Sequence, residues 1–256
     1  MRAYDDLGHP VDLAGPPRRV VSLVPSLTET LAVTCPDLLV GATDWCTHPA
    51  DLSVTRVRGT KNPDRRAIEV IDPDLVVANK EENRELDVRR LRESGVPVWV
   101  TDIGSVPGAL DSLERLLGFL GQATPCWLTD ARSLWADPLP PPRARVAVPI
   151  WRDPWMVVGG GTFADDVVRR LGLANVFAGT GRYPAVALAD IDREDVDLVL
   201  LPDEPYAFTA DDGPEAFRRT RTVLVSGRLL TWYGPSLIEA HRVLTDLSRG
   251  HPPAAG

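Results

Sequence analysis

Four tryptophans, Trp45, Trp151, Trp155 and Trp232, lie beside Asp, Arg, Thr, Tyr or Pro rather than inside apolar runs. A flat aromatic wall next to polar side chains suits a planar or large ring ligand, or a cation held over the ring face. Tryptophan is also a common core filler, but in loop-like surroundings binding weighs more than filling. Catalytic signatures are missing: there is no GxSxG elbow, no HExxH pair and no GxxxxGK[ST] loop. Glu81 and Glu82 are chain neighbours whose side chains diverge by about 100° on a helix, so they do not form an acid/base pair on one face. Lys61 with Glu82 is the pairing left for an enzyme. Gly159-Gly160-Gly161 precedes a helix and either holds a phosphate at its N-terminus or simply forms the turn. His9, His48, His241 and His251 are scattered, without HxH or HxxxH. Asp44, Cys46 and His48 share one segment but fall short of a four-ligand set, so an ordinary loop is expected there, and no metal ligand or catalytic residue is assigned.

The scaffold for these residues is legible in the hydropathy pattern. The chain has 256 residues, 44% of them hydrophobic and 25% charged, as in an ordinary globular protein. A net charge of −8 argues against a general nucleic-acid binder. No run of about 20 apolar residues predicts a spanning helix, and three cysteines without CxxC spacing make no disulfide framework. Short apolar runs at 20–24, 38–42, 75–78 and 96–100 read as strands. Ser26 to Glu29 reads as a capping box opening a helix, and 84–94 as a charged helix stopped by Gly95. Residues 106–120 carry Leu110, Leu113, Leu116, Leu117 and Leu120 at helical spacing, and Thr124-Pro125 opens a further helix to about Ala136. Pro138 to Pro142 must be extended. The alternation then resumes, with strands at 145–150, 198–201 and 223–225 and helices at 163–171 and 236–247. This predicts an α/β fold of two Rossmann-like lobes joined by a connecting helix, with a ligand cleft between the lobes. The boundaries are 1–105 for the N-terminal lobe, 106–142 for the connector and 143–256 for the C-terminal lobe.

Arg19-Val-Val-Ser-Leu-Val-Pro-Ser-Leu-Thr-Glu29 resembles the opening of the class III substrate-binding proteins, the cobalamin and iron-siderophore receptors also called helical-backbone metal receptors. Asp6 to Val11 is similar to their N-terminal hairpin. Val40 to Asp44, Asp72 to Ala78, Gly95 to Val98 and Thr162 to Gly172 follow in the family's order, so the resemblance covers nearly the whole chain. It implies a rigid two-lobed binder whose ligand contacts come from the loops after the strands. Carried over position by position, these are Trp45, Lys61, Asn62, Asn79, Glu81, Glu82 and Arg84 in the first lobe. In the second they are Trp151, Arg152, Trp155, Glu204, Tyr206, Trp232 and Tyr233. Lys61 and Asn79 stand where cobalamin binders usually place aromatics. The mixed charges, with Asp203, suit a zwitterionic ligand whose carboxylate pairs with Arg152 or Lys61. Against this, Lys80 to Glu85 reads equally well as the solvated first turns of a helix, where acids complement the dipole. The family's two permease-docking glutamates align with Arg66 and Ala189, so they are expected to be absent, and Arg66 would repel a permease arginine; a shift of one to three residues recovers Glu69 or Asp190.

The expected function is a non-catalytic binding protein for a small molecule or metal chelate, resembling the substrate-binding component of an ABC transporter. No cofactor is assigned; cobalamin or an iron chelate is the ligand class that the resemblance implies. The alternative is a cytosolic enzyme on the same fold acting on a small polar metabolite. Residues 1–19 contain no apolar signal segment and no lipid-bearing Cys, so the expectation is a leader-less, cytoplasmic protein, with an extracytoplasmic location if a leader was trimmed or the start misplaced.

Overall fold

The computed structural model describes residues 1–249 and divides the chain into two compact units. The first comprises residues 1–103, 108–130 and 233–235, the second 104–107, 131–232 and the described residues from 236 onward. The division therefore falls inside the helix Cys126–Leu134, and the proline run 138–142 belongs wholly to the second unit.

The first unit holds a five-stranded parallel sheet in the order Thr55–Arg56, Leu39–Ala42, Val20–Ser22, Leu75–Asn79, Val98–Thr101. The second holds a four-stranded parallel sheet in the order Leu173–Asn175, Ala144–Ala147, Leu198–Pro202, Arg221–Val225. In both, the earliest strand lies inside the sheet and the chain builds outward from it in each direction. Strand order thus reverses beside Val20–Ser22 and beside Ala144–Ala147, and the crevice beyond the carboxyl ends of the strands at such a switch point is where open α/β sheets bind ligands. Central strands are covered on both faces: all five residues of Leu75–Asn79 and of Leu198–Pro202 are buried, all but Asn79 apolar.

Helix Val106–Phe119 buries Leu110, Leu113, Leu116 and Leu117, with Leu120 just beyond it also buried, as their spacing requires. Gly95, at φ +86°, follows helix Glu85–Glu93 in the left-handed conformation that a side chain would resist. Two expectations about helix starts are corrected. Pro25, not Ser26, opens the first helix, Pro25–Thr34, after a Val24 cap without a side-chain bond; proline's fixed φ presets the first turn, and Ser26 and Glu29 are buried within the helix. Cys126, not Pro125, opens the helix Cys126–Leu134, and the Thr124 hydroxyl donates to Glu114 Oε1 (3.1 Å) ahead of it.

The glycine run forms the turn rather than a phosphate loop. A Cβ on Gly159 would stand 1.8 Å from the carbonyl oxygen of Gly181, and one on Gly160 2.0 Å from that of Ala178. Thr162 then caps helix Phe163–Arg170, its Oγ1 accepting from the Asp165 amide at 3.2 Å. Gly160→Ala is accordingly expected to destabilise the second unit by about 3 kcal/mol, seen as a lower urea midpoint at unchanged m-value. An unshifted midpoint would show that the 178–181 backbone yields freely.

Candidate ligand-binding loops

In the first unit the loop after Leu75–Asn79 is organised from below by two buried asparagines. The Asn79 side-chain amide donates to Thr101 Oγ1 (3.1 Å), and its oxygen accepts from the amides of Glu81 (2.8 Å) and Glu82 (3.3 Å). Asn83 accepts from the Asn79 amide (2.8 Å) and donates to the carbonyls of Leu23 (3.3 Å) and Thr60 (2.9 Å). Asn79 is therefore a buried organiser of the loop, not a surface contact. Glu81 and Glu82 lie half-buried in this loop, ahead of the helix Glu85–Glu93 rather than in its first turns, and Arg84 is exposed at the cap position. The Lys61 ammonium donates to the Glu81 carbonyl, while Asn62 is exposed in the two-residue strand that pairs with Arg58–Gly59. Trp45 is 67% exposed.

Tyr233 packs with this first unit and is buried. Burial, and then the neighbouring Glu82 charge, push its hydroxyl well above the usual phenol range. The nearby Ser26 and Thr101 side chains pull it the other way, and the hydroxyl faces Glu82 Oε1 at 3.5 Å. Gly234 follows with φ +138°, where a Cβ would stand 2.4 Å from Thr30 Oγ1. Cys46 is buried between the Thr28 (3.0 Å) and Thr43 (3.1 Å) hydroxyls, and burial raises its thiol pKa; His48 is exposed, its ring nitrogen 3.2 Å from Thr47 Oγ1. The two do not converge. Among the described residues no group of three or more His, Cys, Asp or Glu is placed to hold a metal; His251 lies outside them.

In the second unit the loops after Ala144–Ala147 and Leu198–Pro202 bring Trp151, Arg152 and Tyr206 together. Trp151 is 45% exposed and meets Tyr206 edge-on at 5.6 Å. Arg152 sits over the Trp155 ring at 5.6 Å. Its Nη1 pairs with Asp212 and with Glu215 Oε1 (2.6 Å), and Tyr206 donates to Asp212 Oδ2 at 2.6 Å. The Glu215 hydrogen bond is the main influence raising the Arg152 pKa, and the Tyr206 hydrogen bond the main one lowering that of Asp212. Arg152 is thus matched by two carboxylates of the protein itself. Asp212 and Glu215 were not legible beforehand, because Asp-Asp-Gly-Pro-Glu reads as a turn. Two further candidates prove internal. Trp155 is buried, stacked on Phe208 (5.9 Å, 6°) and edge-on to Phe217. Trp232 is buried and hydrogen-bonds Glu204, whose carboxyl pKa is raised by burial.

No protein-family model matches the chain. The vitamin B12-binding protein of Vibrio parahaemolyticus is 25% identical over 185 residues, covering 69% of this chain and 67% of the relative. Across the curated relatives the chain spans about two thirds of their length. Among solved structures, the periplasmic vitamin B12-binding protein of Vibrio cholerae matches with a TM-score of 0.72 at 19% identity, covering 91% of this chain and 97% of that one. A periplasmic heme-binding protein from Pseudomonas aeruginosa matches with a TM-score of 0.73 at 21% identity over 94% of each chain. In sequence and fold the chain is similar to class III substrate-binding proteins. These likenesses also overturn one expectation. The two solved structures that share the fold are periplasmic proteins by name, which favours an extracytoplasmic location over the cytoplasmic one. The physical reason is that a leader leaves no trace in the mature fold, so residues 1–19 do not decide the compartment. Among the described residues no helix is long and apolar enough to cross a membrane.

Proposed function

We propose that this protein is the substrate-binding component of an ABC importer and holds a large ring-shaped ligand, a corrinoid or related metal macrocycle, without altering it. The observation that carries the reading is the exposure of one tryptophan on the strand-end loops of each unit, Trp45 and Trp151. A folded protein gains nothing in stability from a solvated indole, and such rings suit the flat apolar face of a macrocycle. The names of the relatives, vitamin B12-binding and heme-binding, support the same ligand class. Lys61, Asn62, Glu81, Glu82 and Arg84 supply polar groups around Trp45, and Tyr206 stands beside Trp151. Asn79, Trp155, Trp232 and Tyr233 support these loops from beneath. The exposed carboxylates Glu69 and Asp190 are the candidates for docking on a permease through arginine.

The test is a tryptophan-fluorescence titration with cyanocobalamin, cobinamide and hemin. At least one is expected to bind saturably. Trp45→Ala and Trp151→Ala should each weaken that binding about tenfold, the ~1.4 kcal/mol of one lost ring contact, with circular dichroism unchanged. Failure of all three macrocycles to bind overturns the reading.

A further inference from the structure

At the amino end of the second sheet, opposite the strand-end loops, lies a cavity of about 240 Å³. It belongs to the second unit alone. Arg143 enters it from just before the strand Ala144–Ala147, and Arg170 from the last position of helix Phe163–Arg170. His241, Thr245 and Arg249 reach it at four-residue spacing, one stripe along and just beyond helix Ser236–Ser248. Asp137 is the one acid in the lining. The floor is Trp135, met edge-on by His241 at 5.1 Å, and Pro138 and Pro140 form a wall with no N–H to offer.

Two of the guanidinium groups are held in place before any ligand arrives. Arg143 donates to the Leu171 carbonyl at 2.9 Å and lies against Gly172, where a Cβ would come within 2.9 Å of its Nε. Arg170 donates to Asp166 Oδ2 (2.8 Å) and to the Trp135 carbonyl (3.2 Å). These bonds use one of five N–H donors on Arg143 and two on Arg170, leaving donors on both. Helix-end capping accounts for those bonds. It does not account for Arg249 lining the same space as Arg143 and Arg170, where three guanidinium groups repel one another unless anions join them, with the His241 ring, its pKa lowered by burial, as a neutral hydrogen-bonding neighbour. We infer that this cavity binds a small organic or inorganic polyanion, one carrying a phosphate or at least two carboxylates, at a site separate from the strand-end loops.

The experiment is calorimetric titration of the full chain with inorganic phosphate and with citrate, against sodium chloride at equal ionic strength. One saturable site is expected for at least one of the two probes and none for chloride. Arg249→Gln should weaken it tenfold or more, and His241→Gln severalfold. Asp137→Asn should tighten it severalfold, a gain that loss of structure cannot mimic. Neither probe binding, a heat matched by chloride, or an affinity unmoved by both Arg249→Gln and Asp137→Asn overturns the inference.

Discussion

Truncating Trp155 to alanine is expected to cost the second unit about 3–5 kcal/mol, whereas Trp151→Ala, four residues earlier, should change stability by no more than about 0.5 kcal/mol. Trp155 is only 8% exposed and packs with Ala147, Val157, Phe177, Val199, Leu201 and Phe208 in one continuous core. Its removal opens a void on which Phe208 and Phe217 both lean. Arg152 also loses the ring beneath its guanidinium, while its acids Asp212 and Glu215 remain. Trp151 touches mainly Tyr206 and solvent. Urea unfolding of both variants, with Trp155→Phe as a control that refills most of the volume, separates wall from core. Equal midpoints for Trp155→Ala and Trp151→Ala would sink the distinction on which the proposed site is drawn.

The first unit has a polar counterpart. Asp5→Ala should lower its stability by about 3–5 kcal/mol, because it strands a charge rather than removing a pair. The Asp5 side chain is fully buried, and its Oδ2 lies 2.8 Å from Arg92 Nη2. The same carboxylate accepts from the amides of Leu7 (3.0 Å), His9 (2.8 Å) and Val100 (3.3 Å). It therefore joins the N-terminal hairpin Arg2–Tyr4/Pro10–Asp12 to helix Glu85–Glu93 and strand Val98–Thr101. Asp5→Asn keeps an acceptor but not the charge and should fall between wild type and alanine. A loss under about 1 kcal/mol for alanine would mean that water replaces the carboxylate at Arg92 without penalty.

Neither effect was visible along the chain. Asp5 reads as one of two acids in a polar hairpin turn; only the arrival of Arg92, 87 residues later, makes it a hub. Trp155 was grouped with Trp151 because both flank Arg-Asp-Pro. Their separation comes from the strand pairing Pro149–Trp151 with Met156–Val157, which reverses the chain so that one indole faces the core and the other solvent. Trp232 and Tyr233 were read as loop aromatics for the same local reason, yet both are buried, Tyr233 with the first unit.

What the amino-acid sequence determined by itself was the alternation of the central strands with the longer helices, the leucine stripe of Val106–Phe119, the Gly95 stop and the family likeness. Each depends on periodicity or on a residue's own backbone preference, and both are local. The tertiary structure alone decided which polar side chains find partners within the protein. Arg152 is taken by Asp212 and Glu215, 60 and 63 positions away, and Asn79 by Thr101 and its own loop. A charged or amide side chain binds whatever partner folding brings within about 3 Å. Distance along the chain carries no record of that partner.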